Sequence, residues 1–348
     1  MKNIVIILLV LVFTMVWTAD AYATNYVSED LQCPVCGNKL KGKVLMSTNS
    51  FGGQDRDFLS YATGNNPVLI VPVTCEKCYY SGYSSDFGTL EAGLVSKLKE
   101  EILTKKTLKP MENGLYDFAA DTSAVRSVPA FIKYDLIAKT YKLRGRETSE
   151  VFTQYINASW AVRLENEYYF DLRSVEAQKT FEWLRKNVDM ASMDTSENNN
   201  AAMELAAGRM LAKKAEALEG EDRLYCSLGA LFLLRSHGEN KEAEKVLEIL
   251  KPTLDEARYV ALDKKVRESI VLERKFQRLA ADALENDMAA GKIKGDIHMA
   301  QMSYLAGELN RRCLDFEKAK KFYEKAIELK QLQAPLDRYA KEQLELCR

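Results

Sequence analysis

Cys33-Pro34-Val35-Cys36 and, after 38 intervening residues, Cys75-Glu76-Lys77-Cys78 place two Cys-x-x-Cys hooks on one short stretch of chain. A two-residue spacer lets both sulfurs of a hook turn toward one ion, and two hooks supply the four thiolates of a tetrahedral Zn2+ site. Gly37 follows the first hook directly, where a tight knuckle favours φ > 0 and backbone N–H groups aimed at sulfur. Cys33, Cys36, Cys75 and Cys78 are therefore read as ligands of a structural zinc ion. Four sulfurs close the coordination sphere, so a hydrolytic centre, which needs an open position, is not expected.

Around the hooks, residues 24–90 read as a small β zinc-ribbon-like module. Lys39 to Ser47 alternates loosely, residues 49–66 are rich in Gly, Asn, Ser and Asp, and the apolar run Val68 to Val71 is expected to enter the second hook in an extended form. Such a module buries little core, and a structural zinc ion would supply its stability, about 10–16 kcal/mol in small zinc modules. Asp55, Arg56, Asp57 and Asp86 flank the hooks. They would meet in a polar site once both hooks share an ion, or else form a solvated loop with a salt bridge. Tyr79, Tyr80 and Tyr83 are read either as a contact patch or as cover for the small core.

From about Thr89 the apolar period changes from two to 3.6. Leu90, Leu94, Leu98 and Ile102 form one helical stripe, and Pro110 with Gly114 mark a break before the polar stretch from Asp117 to Ser127. Residues 91–190 are expected to hold the first helical hairpins, at Ala130 to Leu143 and Ser149 to Glu165 with Gly145 at the turn. Residues 191–348 continue in the same manner. Asp194 and Glu197 have capping-box spacing before a helix over roughly 198–219. Further helices are predicted at Asp222 to Ser236, Lys241 to Leu250, Lys264 to Met288, Asp296 to Arg312 and Phe316 to Lys330, with a closing helix from Pro335. The fold class is thus mainly α. Trp160 and Trp183 fall on apolar stripes and are read as core.

The first 23 residues read as a signal peptide. Met1-Lys2-Asn3 precedes an apolar run from Ile4 to Trp17, and Ala21-Tyr22-Ala23 supplies a small-x-small ending. A Sec-type signal cleaved after Ala23 would send the chain to the periplasm or beyond; retained, residues 4–17 would anchor it to the inner membrane. Export leaves the cysteines two other fates, paired disulfides or, at the Cys33/Cys36 hook, thiol–disulfide exchange. Cys226, Cys313 and Cys347 lie in helical patterns as small buried hydrophobes, and a Cys313–Cys347 disulfide is left open.

In 348 residues, 49 Lys and Arg face 50 Asp and Glu, a net charge of −1. That balance offers no electrostatic case for nucleic acid. The sequence holds no Gly-rich phosphate loop, no His-Glu-x-x-His helix and no serine elbow. His237, at an interhelical turn, and His298, at a helix start, neighbour no nucleophile and are read as ordinary surface or packing residues.

The last helical pair resembles a tetratricopeptide repeat, a helical hairpin about 34 residues long. The resemblance rests on Gly307, Asp315-Phe316-Glu317-Lys318-Ala319, Tyr323 and Ala326, with Asn310 in place of an aromatic residue and the closing proline displaced to Pro335. Tyr225, Leu228-Gly229, Phe232, Ala243, Leu247 and Pro252 form a looser copy. The amino-terminal half resembles a bacterial family known as domain of unknown function 2225. It does so through the two hooks, Arg56-Asp57-Phe58, Tyr61, Gly64, Asn66-Pro67, Tyr80, Ser85-Asp86-Phe87, Tyr141-x-Leu143-Arg144-Gly145 and Ala158-Ser159-Trp160-x-x-Arg163. That resemblance implies a zinc-ribbon-like head joined to repeat helices, and no activity. Glu76 and Tyr79 depart from the Pro and Gly frequent in such second hooks, and Tyr79 disfavours the left-handed turn a knuckle uses. The function expected from these readings is an exported, noncatalytic scaffold whose concave helical surface binds a protein or peptide; the competing reading is an envelope thiol–disulfide enzyme using Cys33 and Cys36.

Overall fold

The computed structural model describes residues 24–104, 128–165, 174–188 and 200–347. The signal peptide, the break at Pro110 and Gly114, and the Asp194/Glu197 capping box lie outside the described residues.

Two antiparallel ribbons build the head. Strands β1 (Asn25–Gln32) and β2 (Lys39–Ser47) pair along their whole length, and the first hook makes their turn. The short strands β3 (Val73–Thr74) and β4 (Ser81–Gly82) pair around the second hook in the same way. The apolar run before the second hook is not extended as its β-branched composition suggested. It forms the helical turn α1 (Pro67–Ile70), because Asn66 accepts a hydrogen bond from the Val68 N–H at 3.0 Å and Pro67 occupies the first helical position. An Asn cap with Pro at N1 is a helix-start signal that outweighs a short β-branched run.

A 3-10 turn (Ser84–Phe87) leads to α2 (Ala92–Lys97), which widens into a π turn over Leu98–Ile102. Leu98 and Ile102 of the expected stripe are buried. The array then comprises α3 (Ala130–Leu143), α4 (Thr148–Leu164), α5 (Val175–Asn187), α6 (Asn200–Glu216), α7 (Gly220–Ser236), α8 (Asn240–Leu250), α9 (Glu256–Ala289), α10 (Asp296–Arg312), α11 (Phe316–Glu328) and α12 (Leu336–Leu346). Helix α3 packs on α4, α6 on α7, and α10 on α11. The α10–α11 contact is close at Gly307, where an added Cβ would lie 2.7 Å from the Tyr323 ring.

Helix α9 begins eight residues earlier than its apolar pattern alone suggested, because Asp255 caps it by accepting from the Arg258 N–H. At 34 residues it is about 51 Å long. Its two ends join two apolar cores. Val266 and Ile270 pack with α5 to α8, while Phe276, Ala280 and Leu284 pack with α3, α4 and α10. The head shares the second of these cores, through Cys33, Val35, Val73, Cys75, Tyr80 and Phe87 against residues of α3 and α4. A third cluster unites α10, α11 and α12 around Tyr304 and Tyr323. Among the described residues, no helix is long and apolar enough to cross a membrane.

Candidate metal centre

The two hooks fold alike. In the first, Gly37 N–H donates to the Cys33 carbonyl at 2.8 Å and Cys33 N–H to the Asn38 carbonyl at 2.8 Å. In the second, Tyr79 N–H donates to the Cys75 carbonyl at 2.7 Å and Cys75 N–H to the Tyr80 carbonyl at 2.8 Å. Both knuckles close on a left-handed residue, Gly37 at φ 74° and Tyr79 at φ 61°. Glycine takes that conformation freely. Tyr79, expected to resist it, is held there by the two ladder bonds and by packing on the shared core.

The result is convergence of four sulfurs, all within 4.8 Å of one another. Two contacts cross between the hooks, Cys33 with Cys78 and Cys36 with Cys75, each pair 3.5 Å apart. No disulfide joins them. A tetrahedral ion with bonds of about 2.3 Å sets its sulfurs about 3.8 Å apart, within the observed spread. The four cysteines can therefore bind a metal ion. Burial pushes the Cys33 thiol up to about 11 and raises Cys78 as well. At Cys36 burial acts in the same direction but is outweighed by the Asn38 backbone N–H and the neighbouring thiols, and the pKa falls below the ordinary thiol value.

The chain between the hooks reaches into the array. Asp55, Asp57 and Phe58 sit on a tight turn closed by Phe58 N–H donating to the Asp55 carbonyl at 3.0 Å, with Phe58 at φ 70°. A left-handed bulky residue costs roughly 1–3 kcal/mol and persists where its surroundings fix it. Here they do. The Phe58 ring lies 5.7 Å from that of Tyr304, and the Arg163 guanidinium, fully buried on α4, bonds Asp55 at 2.8 Å and also bonds Asp57. The Trp160 indole N–H donates to Asp57 at 3.2 Å. The Tyr61 hydroxyl lies 2.8 Å from both Asp55 and the Ser236 carbonyl.

Beyond this plug the ion pairs continue inward. Arg163 Nε lies 3.2 Å from Glu273 of α9, which Arg235 of α7 meets at 2.5 Å. Arg312 joins Glu308 at 2.7 Å and donates to the His237 carbonyl at 3.1 Å. Glu308 also binds Arg311 and accepts from the Tyr323 hydroxyl. Every carboxylate of the plug is thus bonded to a cation or donor, which removes the penalty of burying it unpaired. Arg163, Asp57, Glu273, Arg235, Glu308 and Arg312 are all buried.

Two readings of the sequence are corrected here. Asp55 and Asp57 are buried plug residues rather than a solvated loop, and the four flanking residues do not meet. Asp86 instead receives the Tyr141 hydroxyl at 2.8 Å and Arg144 at 3.2 Å, and Arg56 turns outward to Glu342 and the Tyr339 ring. Tyr80 is fully buried and the Tyr83 hydroxyl donates to Gln154 at 2.9 Å, so these tyrosines cover core. Cys313 and Cys347 are not joined, and the Cys313 thiol faces the Arg274 carbonyl at 3.5 Å. Arg163, Arg235, Glu273, Glu308 and Arg312 were not singled out as site residues. Their signal is faint, since an Arg on an apolar helix face is also what a surface-reaching side chain looks like.

His237 is buried between Asp55 at 3.0 Å and Glu204 at 3.1 Å. Burial alone would lower its pKa, but Asp55 and then Glu204 outweigh it and push it up to about 9. A folded-state pKa above the ordinary 6.5 gives stability that is fully present below pH 6.5 and lost as pH rises through about 9. The His237→Gln variant is therefore expected to lose this alkaline decline, about 3 kcal/mol in all, when unfolding free energy is measured in urea from pH 6 to 10. An unchanged slope would assign it to other groups.

A family model described as "Uncharacterized protein conserved in bacteria (DUF2225)" matches residues 26–347. A curated relative from Borreliella burgdorferi, described as "Uncharacterized protein", is 22% identical over 273 residues, covering 72% of this chain and 92% of its own. No solved structure matches.

Proposed function

From the premise that the chain belongs to the bacterial family DUF2225, we propose that it is an exported, noncatalytic interaction protein in which a structural zinc ion fixes the head on a helical array that binds a protein or peptide. Cys33, Cys36, Cys75 and Cys78 would hold the ion. Bound there, zinc supplies cross-linking and no redox chemistry. The observation that carries this reading is the path of the chain between the hooks. A metal that joins the hooks also shortens the loop that seats Asp55, Asp57 and Phe58 in the array. The tetratricopeptide likeness of α10 and α11 supports a repeat surface for partner binding, and the basic, apolar and small-x-small order of residues 1–23 supports export.

The competing reading, thiol–disulfide exchange at Cys33 and Cys36, requires an acidic, accessible first thiol. Cys33 is 1% exposed, which argues against it. Insulin reduction separates the two: the protein is expected to give no turnover above a Cys33→Ser control. Turnover lost in that control would overturn the noncatalytic reading.

A further inference from the structure

The β1–β2 ribbon is divided along its length. Its three outer pairs, Asn25 with Ser47, Tyr26 with Leu45 and Val27 with Val44, carry no charge, and Met46 is the extra residue of the bulge between them. Its inner pairs hold Glu29, Asp30, Lys39, Lys41 and Lys43. The inner half is seated on the head, where an added Cβ on Gly42 would lie 2.5 Å from Ser84 Oγ. The outer half is more exposed, with Val44 and Leu45 half-buried. Tyr26, Val27 and Met46 are 40%, 49% and 64% exposed, and Phe51, just past the end of β2, is 75% exposed. These are four of the eleven large apolar side chains exposed among the described residues, gathered within 26 positions.

The apolar groups occupy both faces of the ribbon. Paired residues share a face and successive residues alternate, so Tyr26 and Leu45 lie on one side and Val27 and Val44 on the other. A protein partner docking on one side would leave the opposite side unused, whereas a lipid bilayer surrounds the whole end. At the boundary, Lys43 Nζ lies 4.6 Å from the Tyr26 ring centroid. Tyr and Lys together suit the bilayer interface, the ring at headgroup level and the ammonium reaching water. The apolar run Ile4 to Trp17 joins the chain at this same end, and the eight residues between Trp17 and Tyr26 reach at most about 30 Å.

We infer that the outer half of this ribbon, with Tyr26, Val27 and Met46, rests in the interfacial layer of a lipid bilayer. The inference is independent of the metal reading, since the exposed residues carry it. It is tested with the full chain reconstituted in vesicles of phosphatidylcholine and phosphatidylglycerol, in which tryptophan emission is read with and without acyl-chain bromination. The Val27→Trp and Met46→Trp variants are each expected to lose roughly half of the added emission, the depth of an interfacial segment placing the indole near the quencher. The Lys41→Trp variant is expected to lose none, with the parent chain giving the contribution of Trp17, Trp160 and Trp183. Equal, unquenched emission at 27, 46 and 41 would overturn the inference. That outcome describes a molecule tethered only by its first residues, or one whose ribbon pairs with a second copy.

Discussion

Chelated protein and the Cys75→Ser variant are expected to lose several kcal/mol of unfolding free energy, and to lose it in the helical array as well as in the head. Small structural zinc modules draw about 10–16 kcal/mol from their metal. The effect here is smaller than that, because Cys33, Cys75, Val35 and Tyr80 share a core with α3 and α4 that survives in part. The spread into the array is the distinctive result. Without the ion, the loop-closure constraint between the hooks is relaxed. Asp55, Asp57 and Phe58 then leave Arg163 and Tyr304 more often, and a fully buried guanidinium is left without two of its three carboxylates. Amide exchange should accelerate in residues 54–61, around Arg163 on α4 and in the turn at His237. Acceleration confined to residues 24–90 would show that the plug holds without the metal.

The second large effect is expected from Arg163→Met. Removing one partner of a buried ion pair costs about 3–5 kcal/mol, because the partner left behind is charged and desolvated. Asp55 keeps His237 and Tyr61, and Glu273 keeps Arg235, but Asp57 keeps no close cation, only the Trp160 indole, the Leu59 backbone N–H at 3.4 Å and Arg312 at 4.0 Å. Asp57 should therefore dominate the loss. One further measurement follows. Adding Asp57→Asn should recover part of the loss in a double-mutant cycle. Strict additivity would mean that Arg163 acts through packing alone.

What could be read from the sequence follows from how local each signal is. The hooks were legible because a two-residue spacing between cysteines suffices to suggest a knuckle, reinforced at the first hook by Gly37. Helix α8 was legible from its apolar period, since it buries the one stripe of Ala243, Val246, Leu247 and Leu250, whereas α3, α7 and α10 are buried on most sides and their period is correspondingly weaker. Boundaries moved where a cap decided them, as at Asn66 and Asp255. The ion cluster was not legible, because it is assembled from residues separated by more than 100 positions, Asp57 with Arg163 for example. Nothing in the neighbourhood of Asp57 distinguishes a residue bound for a buried guanidinium from one bound for solvent. His237 shows the same limit: a lone His at a Gly turn reads as ordinary, and only its placement between Asp55 and Glu204 makes it a buried cation. Tyr79 shows the reverse, a local preference against the left-handed region overridden by the knuckle's hydrogen bonds.

The central claim is that Cys33, Cys36, Cys75 and Cys78 surround a single zinc ion. X-ray absorption at the zinc edge, on protein recovered from its native compartment without added metal, tests it most directly. The expected spectrum has four sulfur neighbours at about 2.3 Å and no nitrogen or oxygen shell, with about one zinc per chain. Metal-free protein whose four cysteines are oxidised in pairs would contradict it.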